Sequence, residues 1–271
     1  MVKFASVNKT DMAKKKNPRM PIVLITGVTS GIGLATARLL ASKRYRLILA
    51  ARRAVTLKKI VAELSEVYHN ENHPLILDVR DRTAVRKAIF ELPEEWSEIE
   101  ILINNAGLAA GLDPVHEANC NDWDQMMDTN VTGILHLVRL VTPGMVDRKR
   151  GHIINISSIA GKQVYPNASV YCASKHAVEA LTQGMRMDLL PYGIKVSSVA
   201  PGAVNTEFSL VRFKGDQERA DKVYQGFEPL QGEDVADAIL YILTRPDHVN
   251  IQDILITPSA QATATQIHRK G

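Results

Sequence analysis

Tyr171 and Lys175 lie four residues apart in the run Val170-Tyr171-Cys172-Ala173-Ser174-Lys175. The run reads as helix, so both side chains fall on one face. A phenol ordinarily loses its proton near pH ~10, and a neighbouring cation favours the phenolate. Such a Tyr can exchange a proton with an alcohol or a carbonyl at working pH. Ser158, upstream of the pair, adds a hydroxyl. Taken alone, a Tyr-x-x-x-Lys pair is weak, because surface helices carry many by chance, and the elements around it must decide.

Those elements alternate. Short apolar runs at Ile22-Val23-Leu24-Ile25, Leu47-Ile48-Leu49-Ala50, Leu75-Ile76-Leu77 and Ile101-Leu102-Ile103 read as strands. So do His152 to Ile156, Lys195 to Val199 and Ile254-Leu255-Ile256. Between them lie helical patterns, among them one from about Ile32 to Lys43 and one through Leu57, Ile60, Val61 and Leu64. Near-continuous apolar strands separated by helices predict a parallel sheet covered on both faces. Right-handed crossovers make it a doubly wound, Rossmann-type α/β sheet of about seven strands in a single domain spanning residues 21–271. No repeat, low-complexity block or linker divides the chain.

The chain has 271 residues, 45% of them hydrophobic and 23% charged, the balance of a globular protein. No apolar stretch approaches the ~18 residues that suggest a membrane span. The net charge of +4 is concentrated at one end. Lys3, Lys9, Lys14, Lys15, Lys16 and Arg19 face only Asp11 there, while the remaining chain holds 27 basic and 28 acidic residues. That placement argues against a nucleic-acid-binding surface on the domain. Residues 1–20 have no apolar core of a secretory signal and are expected to form a basic, disordered extension. Cys120 and Cys172 suggest neither a disulfide framework nor a metal site, and Cys172 reads as a packing residue. His69 and His73 have a ligand-like spacing, but with Pro74 beside them they read as solvated. No metal is expected.

The turn between the first strand and the first helix is Thr26-Gly27-Val28-Thr29-Ser30-Gly31-Ile32-Gly33. Glycines there let the backbone approach a pyrophosphate, and the helix N-terminus offers free N–H groups. The spacing is G-x-x-x-G-x-G rather than the usual G-x-G-x-x-G, and a purely structural turn is the alternative. The second strand ends Ala50-Ala51-Arg52-Arg53, with no carboxylate for ribose hydroxyls. An arginine there accommodates a 2′-phosphate, favouring NADP(H) over NAD(H), unless the two arginines merely form a solvated face. Asp78-Val79 at the end of the third strand suit an adenine edge and ring. Asn104-Asn105-Ala106-Gly107 after the fourth suits close passage of a cofactor.

These motifs, with Asn130, Ser158, Tyr171, Lys175 and Pro201-Gly202, occur in the order and spacing of the short-chain dehydrogenase/reductase family, which the chain resembles over residues 21–257. Within it, Tyr165-Pro166, the Tyr171 run, Thr206 to Gly215 and Asp234-Val235-Ala236-Asp237 resemble the NADP-dependent 3-hydroxy acid dehydrogenases, a group including serine and L-allo-threonine dehydrogenases and malonic semialdehyde reductase. The resemblance implies catalytic roles for Asn130, Ser158, Tyr171 and Lys175. Tyr171 would exchange the proton, and Ser158 would position the substrate oxygen. Lys175 would lower the Tyr171 pKa and hold the nicotinamide ribose. Asn130, on a helix after Thr129, would anchor a proton-relaying water. It further implies cofactor contacts from Gly27, Thr29, Ser30, Gly31, Ile32, Gly33, Arg52, Arg53, Asp78, Val79, Asn105, Ala106 and Gly107. Pro201, Gly202, Val204 and Thr206 would border the nicotinamide. A cytoplasmic homotetramer is also implied, with no membrane or nucleic-acid partner.

Phe208 to Lys222 fall where this family places a substrate-covering loop. Arg212, among Phe208, Leu210, Val211 and Phe213, is costly facing inward unless it pairs with an anion. A substrate carboxylate would satisfy it. The alternative pairs Arg212 with Glu207 or Glu228 on the surface. Lys162, Gln163 and Tyr165 are further candidates for the pocket wall, with Gln163 assigned to the substrate. The function expected is NADP(H)-dependent interconversion of the C3 alcohol of a small 3-hydroxy acid and its carbonyl. A 3-oxoacyl or general carbonyl reductase is the second enzyme reading, and a non-catalytic NADP-sensing protein the third.

Overall fold

The computed structural model describes residues 20–270. The expected basic extension falls almost wholly outside them. The described chain alternates β1 (Ile22–Thr26), α1 (Gly31–Ser42), β2 (Arg46–Ala51), α2 (Ala54–Tyr68), β3 (Asn72–Ile76), α3 (Arg82–Phe90) and β4 (Ile99–Asn104). It continues through α4 (Cys120–Met127), a π-helical turn (Asp128–Thr132), α5 (Gly133–Arg148), β5 (Gly151–Ile156), α6 (Ser169–Leu189) and β6 (Ile194–Pro201). Two short helices, α7 (Phe208–Arg212) and α8 (Gln217–Lys222), precede α9 (Gly232–Leu243) and β7 (Asp253–Ile256).

All seven strands are parallel, in the order β3-β2-β1-β4-β5-β6-β7. Apolar side chains fill both faces of the central strands, so each face needs its own cover. On one face, Leu40 of α1, Leu57 and Leu64 of α2 and Ile239 of α9 pack against Val23, Ile25 and Leu49. On the other, Val85 of α3, Leu137 and Met145 of α5 and Val178 of α6 pack against Leu24, Ile48 and Leu102. Each fully buried aliphatic side chain contributes about 1.5–3 kcal/mol.

β3 begins three residues earlier than the apolar signal at Leu75 and contains Pro74. It pairs only with β2, so the missing N–H of Pro74 faces no partner strand. The order reverses between β1 and β4. This switch point opens a crevice at the carboxyl ends of the strands, where a doubly wound sheet binds its ligands.

Candidate active site

Most of the residues singled out above emerge at that carboxyl edge, around one cavity of about 660 Å³. The glycine turn forms its floor. Gly27 and Gly31 sit at φ +71° and +53°, in the left-handed region that glycine adopts most readily. A Cβ on Gly33 would stand 2.3 Å from the Gly27 carbonyl oxygen and 2.4 Å from Asn105 Nδ2, so no side chain fits. Asn105 Nδ2 donates to the Thr26 and Gly27 carbonyls at 2.8 and 3.1 Å. Thr26 Oγ1 accepts from the Asn105 and Ala106 amides at 3.0 and 2.9 Å. The turns after β1 and β4 are thereby locked together beneath the first turn of α1, whose amides face the crevice.

Arg52 and Arg53 stand at the rim with half-exposed side chains. Arg53 donates to Thr29 Oγ1 at 2.9 Å and Ser30 Oγ at 3.2 Å and meets Glu207 at 3.1 Å. Arg52 lies 3.8 Å from Asp78. The Asp78 carboxyl is held below its ordinary range chiefly by hydrogen bonds from Arg80, a residue the sequence reading did not select. Two cations, two hydroxyls and a helix N-terminus converge, and the end of β2 carries no carboxylate. These residues fit the 2′-phosphate and pyrophosphate of an NADP-type dinucleotide. Among the described residues no cluster suits a metal ion.

Across the cavity, β5 runs into Ser157 and Ser158. Ser158 Oγ accepts from the Ala160 amide at 3.1 Å, which caps the following short turn and points the hydroxyl at the crevice. Tyr171 and Lys175 share the inward face of α6, at 6% and 5% exposure. Burial raises the Tyr171 pKa, and Tyr165 adds to the rise. A hydrogen bond with Ser158 and the charge of Arg212 oppose it. Burial brings Lys175 down to about 8, and Glu179 opposes that shift. Lys175 Nζ donates to the Ile156 carbonyl at 3.0 Å. Among the protein groups, then, Ser158 and Arg212 draw the phenol toward ionisation, and Lys175 itself is strained by desolvation.

Asn130 sits in the π-helical turn between α4 and α5, an irregularity often found at functional sites. Its carboxamide donates to the Leu108 carbonyl at 2.8 Å and Ser174 Oγ at 3.0 Å and accepts from the Leu108 amide at 2.9 Å. It stands behind the cavity wall. A Cβ on Gly107 would lie 3.2 Å from Asn130 Oδ1 and 3.4 Å from Lys175 Nζ, so the two groups converge on that glycine.

Val79, Ala106, Pro201, Gly202, Val204 and Thr206 all line the cavity as expected. Gln163 does not. Its Oε1 accepts from the Ala264 amide at 2.7 Å, pinning the C-terminal segment. Lys162 also turns away, to Glu179 and Asp253, both at 2.8 Å. Both side chains follow the short turn after Ser158, whose direction no spacing rule supplies.

Arg212 faces inward from α7. Its Nε donates to the Gly111 carbonyl at 3.2 Å and its Nη1 to Tyr165 Oη at 3.0 Å. The guanidinium lies 5.5 Å from the Tyr171 ring centre and 5.6 Å from that of Tyr165. Its Nη2 is shielded from solvent and has no partner among the described residues. Arg212 forms no ion pair with Glu207 or Glu228; Glu207 meets Arg53 instead. Several wall residues escaped the sequence reading. Tyr224 bridges Ser209 Oγ and the Val204 carbonyl, both at 2.8 Å. Gln261, Ile267 and Arg269 reach the cavity from the C-terminal segment. No motif marks them, because they meet the site only through the fold.

Comparison with known proteins agrees with this geometry. A family model described as short chain dehydrogenase matches residues 21–216. The chain is 44% identical over 249 residues to an NADP-dependent 3-hydroxy acid dehydrogenase of Schizosaccharomyces pombe, covering 92% of this chain and 96% of that protein. It is 41% identical over 251 residues to the YdfG protein of Escherichia coli K12, also described as an NADP-dependent 3-hydroxy acid dehydrogenase, covering 92% and 100%. Among solved structures, a closed form of serine dehydrogenase complexed with NADP+ is 41% identical. It superposes with a TM-score of 0.85 over 92% of this chain and all of that one.

Proposed function

The chain belongs to the short-chain dehydrogenase family, and from that premise we propose that it is an NADP(H)-dependent oxidoreductase interconverting the C3 alcohol of a small 3-hydroxy acid and its carbonyl form. The observation that carries the choice of acid is Arg212. A guanidinium with two donors already held by Gly111 and Tyr165, and a third shielded and unpartnered, is a costly arrangement without an anion. A substrate carboxylate supplies that anion with fork geometry and leaves the C3 oxygen beside Tyr171.

The nicotinamide, when bound, supplies the hydride chemistry. The chain's own residues do the rest. Tyr171, kept protonated by burial, donates its proton to the carbonyl oxygen in reduction and takes it back from the alcohol in oxidation. Ser158 fixes that oxygen by hydrogen bonding. Lys175 stabilises the phenolate while its ammonium remains charged. Asn130 ties the Leu108 backbone to Ser174 of α6 and anchors proton return behind Lys175. The relatives described as an NADP-dependent 3-hydroxy acid dehydrogenase and a serine dehydrogenase support small hydroxy acids as the substrate class. We also take the enzyme to be a cytoplasmic homotetramer, a reading supported by family resemblance.

Steady-state kinetics of Arg212→Ala at saturating NADP+ test the assignment. On a 3-hydroxy acid, kcat/KM is expected to fall about 10- to 100-fold, the value of one charge-assisted contact. On an uncharged secondary alcohol the loss should be much smaller, because only the influence of Arg212 on the Tyr171 phenol is removed. Equal losses on both would exclude carboxylate capture and favour a bulkier carbonyl substrate.

A further inference from the structure

Helix α6 carries a third buried ionisable group in register with the reacting pair. Tyr171, Lys175 and Glu179 follow one another at four-residue spacing and so stack along one face. Glu179 is 8% exposed. Its Oε1 accepts from Ser198 Oγ of β6 at 2.9 Å, and its Oε2 from Lys162 Nζ at 2.8 Å. Lys162 reaches on to Asp253 of β7 at 2.8 Å. Farther along α6, Arg186 donates to the Val196 and Gln252 carbonyls rather than to Glu179. The charges facing Glu179 are therefore Lys175 on its own helix, Lys162 from the turn after β5, Asp253 from β7, and Arg186 two turns farther along α6.

Lys175 has the opposite difficulty. It must stay cationic inside the core, yet its hydrogen-bond acceptor is the uncharged Ile156 carbonyl. We propose that Glu179 is a positioning residue for the reaction: its carboxylate keeps the Lys175 ammonium charged, and Lys162, Ser198 and Asp253 hold that carboxylate in place. This rests on the reading of Tyr171 and Lys175 as the proton-transfer pair. Burial depresses Lys175 to about 8, and Glu179 is the group that resists the depression. Removing the carboxylate lets Lys175 lose its proton at lower pH. Removing Lys162, which holds the carboxylate from the far side, acts in the same direction and more weakly.

The test is the pH profile of kcat/KM for carbonyl reduction at saturating NADPH. Glu179→Gln is expected to move the alkaline limb to lower pH by about one unit, the lower end of the range for a close opposite charge. Glu179→Asp should restore most of that shift. Lys162→Gln, at a partly exposed position, should move the limb to lower pH by less than Glu179→Gln does, and gives a readout even if that variant does not fold. A limb that stays fixed in Glu179→Gln while activity falls evenly at every pH would overturn the proposal. So would a Lys162→Gln limb that moves to higher pH. Tyr171→Phe separates the two levels. Full turnover in that variant defeats the underlying proton-transfer reading, whereas loss of turnover together with an unmoved limb in Glu179→Gln defeats the role of Glu179 alone.

Discussion

At the scale of single residues, Tyr171 lies beside Phe208, with ring centres 5.7 Å apart, and its burial holds the proton on the phenol. Lys175 is charged at neutral pH and neutral well above 8. Its stabilising charge is present below that value and is lost as pH rises through it. The rate of carbonyl reduction is accordingly expected to hold through neutral pH and decline above about pH 8, measured by NADPH absorbance. Tyr171→Phe should lower turnover by about 10²- to 10⁴-fold, the usual contribution of a positioned acid–base. NADPH binding, followed by fluorescence titration, should persist. Arg52 is paired with Asp78 only at 3.8 Å, which leaves its guanidinium available to a phosphate. Arg52→Ala should raise KM for NADP+ about 10- to 100-fold and leave that for NAD+ nearly unchanged. No change for either cofactor would show that Arg52 belongs to the solvated rim.

At the scale of elements, the site depends on how turns are fastened to one another. Thr26 and Asn105 tie the end of β1 to the end of β4, and Gly33 lets α1 begin directly above them. Gly33→Ala should therefore abolish cofactor binding while the far-ultraviolet circular dichroism remains native-like. The pair Asn104 and Asn155, neighbours on β4 and β5, continues this stitching at 2.8 Å inside the sheet. Leu102, fully buried on β4, supports it from one face. Leu102→Ala should cost about 2–5 kcal/mol of stability in denaturant unfolding, because the close-packed sheet cannot collapse around the void.

At the scale of the whole molecule, the C-terminal segment from Gln261 to Arg269 forms part of the cavity wall. Gln261 accepts from the Ala203 amide at 2.8 Å, and Ala264 is held by Gln163. Arg269 donates to the Val223 and Gln225 carbonyls just beyond α8, over the ring of Phe227. The C-terminal segment thus clasps the covering loop that carries Arg212. Arg269→Ala should raise KM for the hydroxy acid about 3- to 10-fold through the loss of such hydrogen bonds and speed proteolytic cleavage near residue 224. Unchanged cleavage would mean that the covering loop is held by Lys214 and Asp122 instead, which meet at 2.9 Å.

Much of this was legible in the sequence because it is local. Apolar runs of strand length placed six of the seven strands closely. β3 was misread at its start because its edge position, which tolerates Pro74, is a property of the sheet. The glycine turn, Ser158, Tyr171 and Lys175 were readable because steric and chemical demands at close spacing admit few residue types. The sequence by itself determined the doubly wound sheet, the motifs at its carboxyl edge and the pairing of a phenol with an amine. Only the tertiary structure decided where Arg212 points, that Gln163 holds the C-terminal segment, and that Glu179 stands buried behind Lys175. Each of those depends on burial and on partners distant in the chain, and both arise only when the layers close on one another.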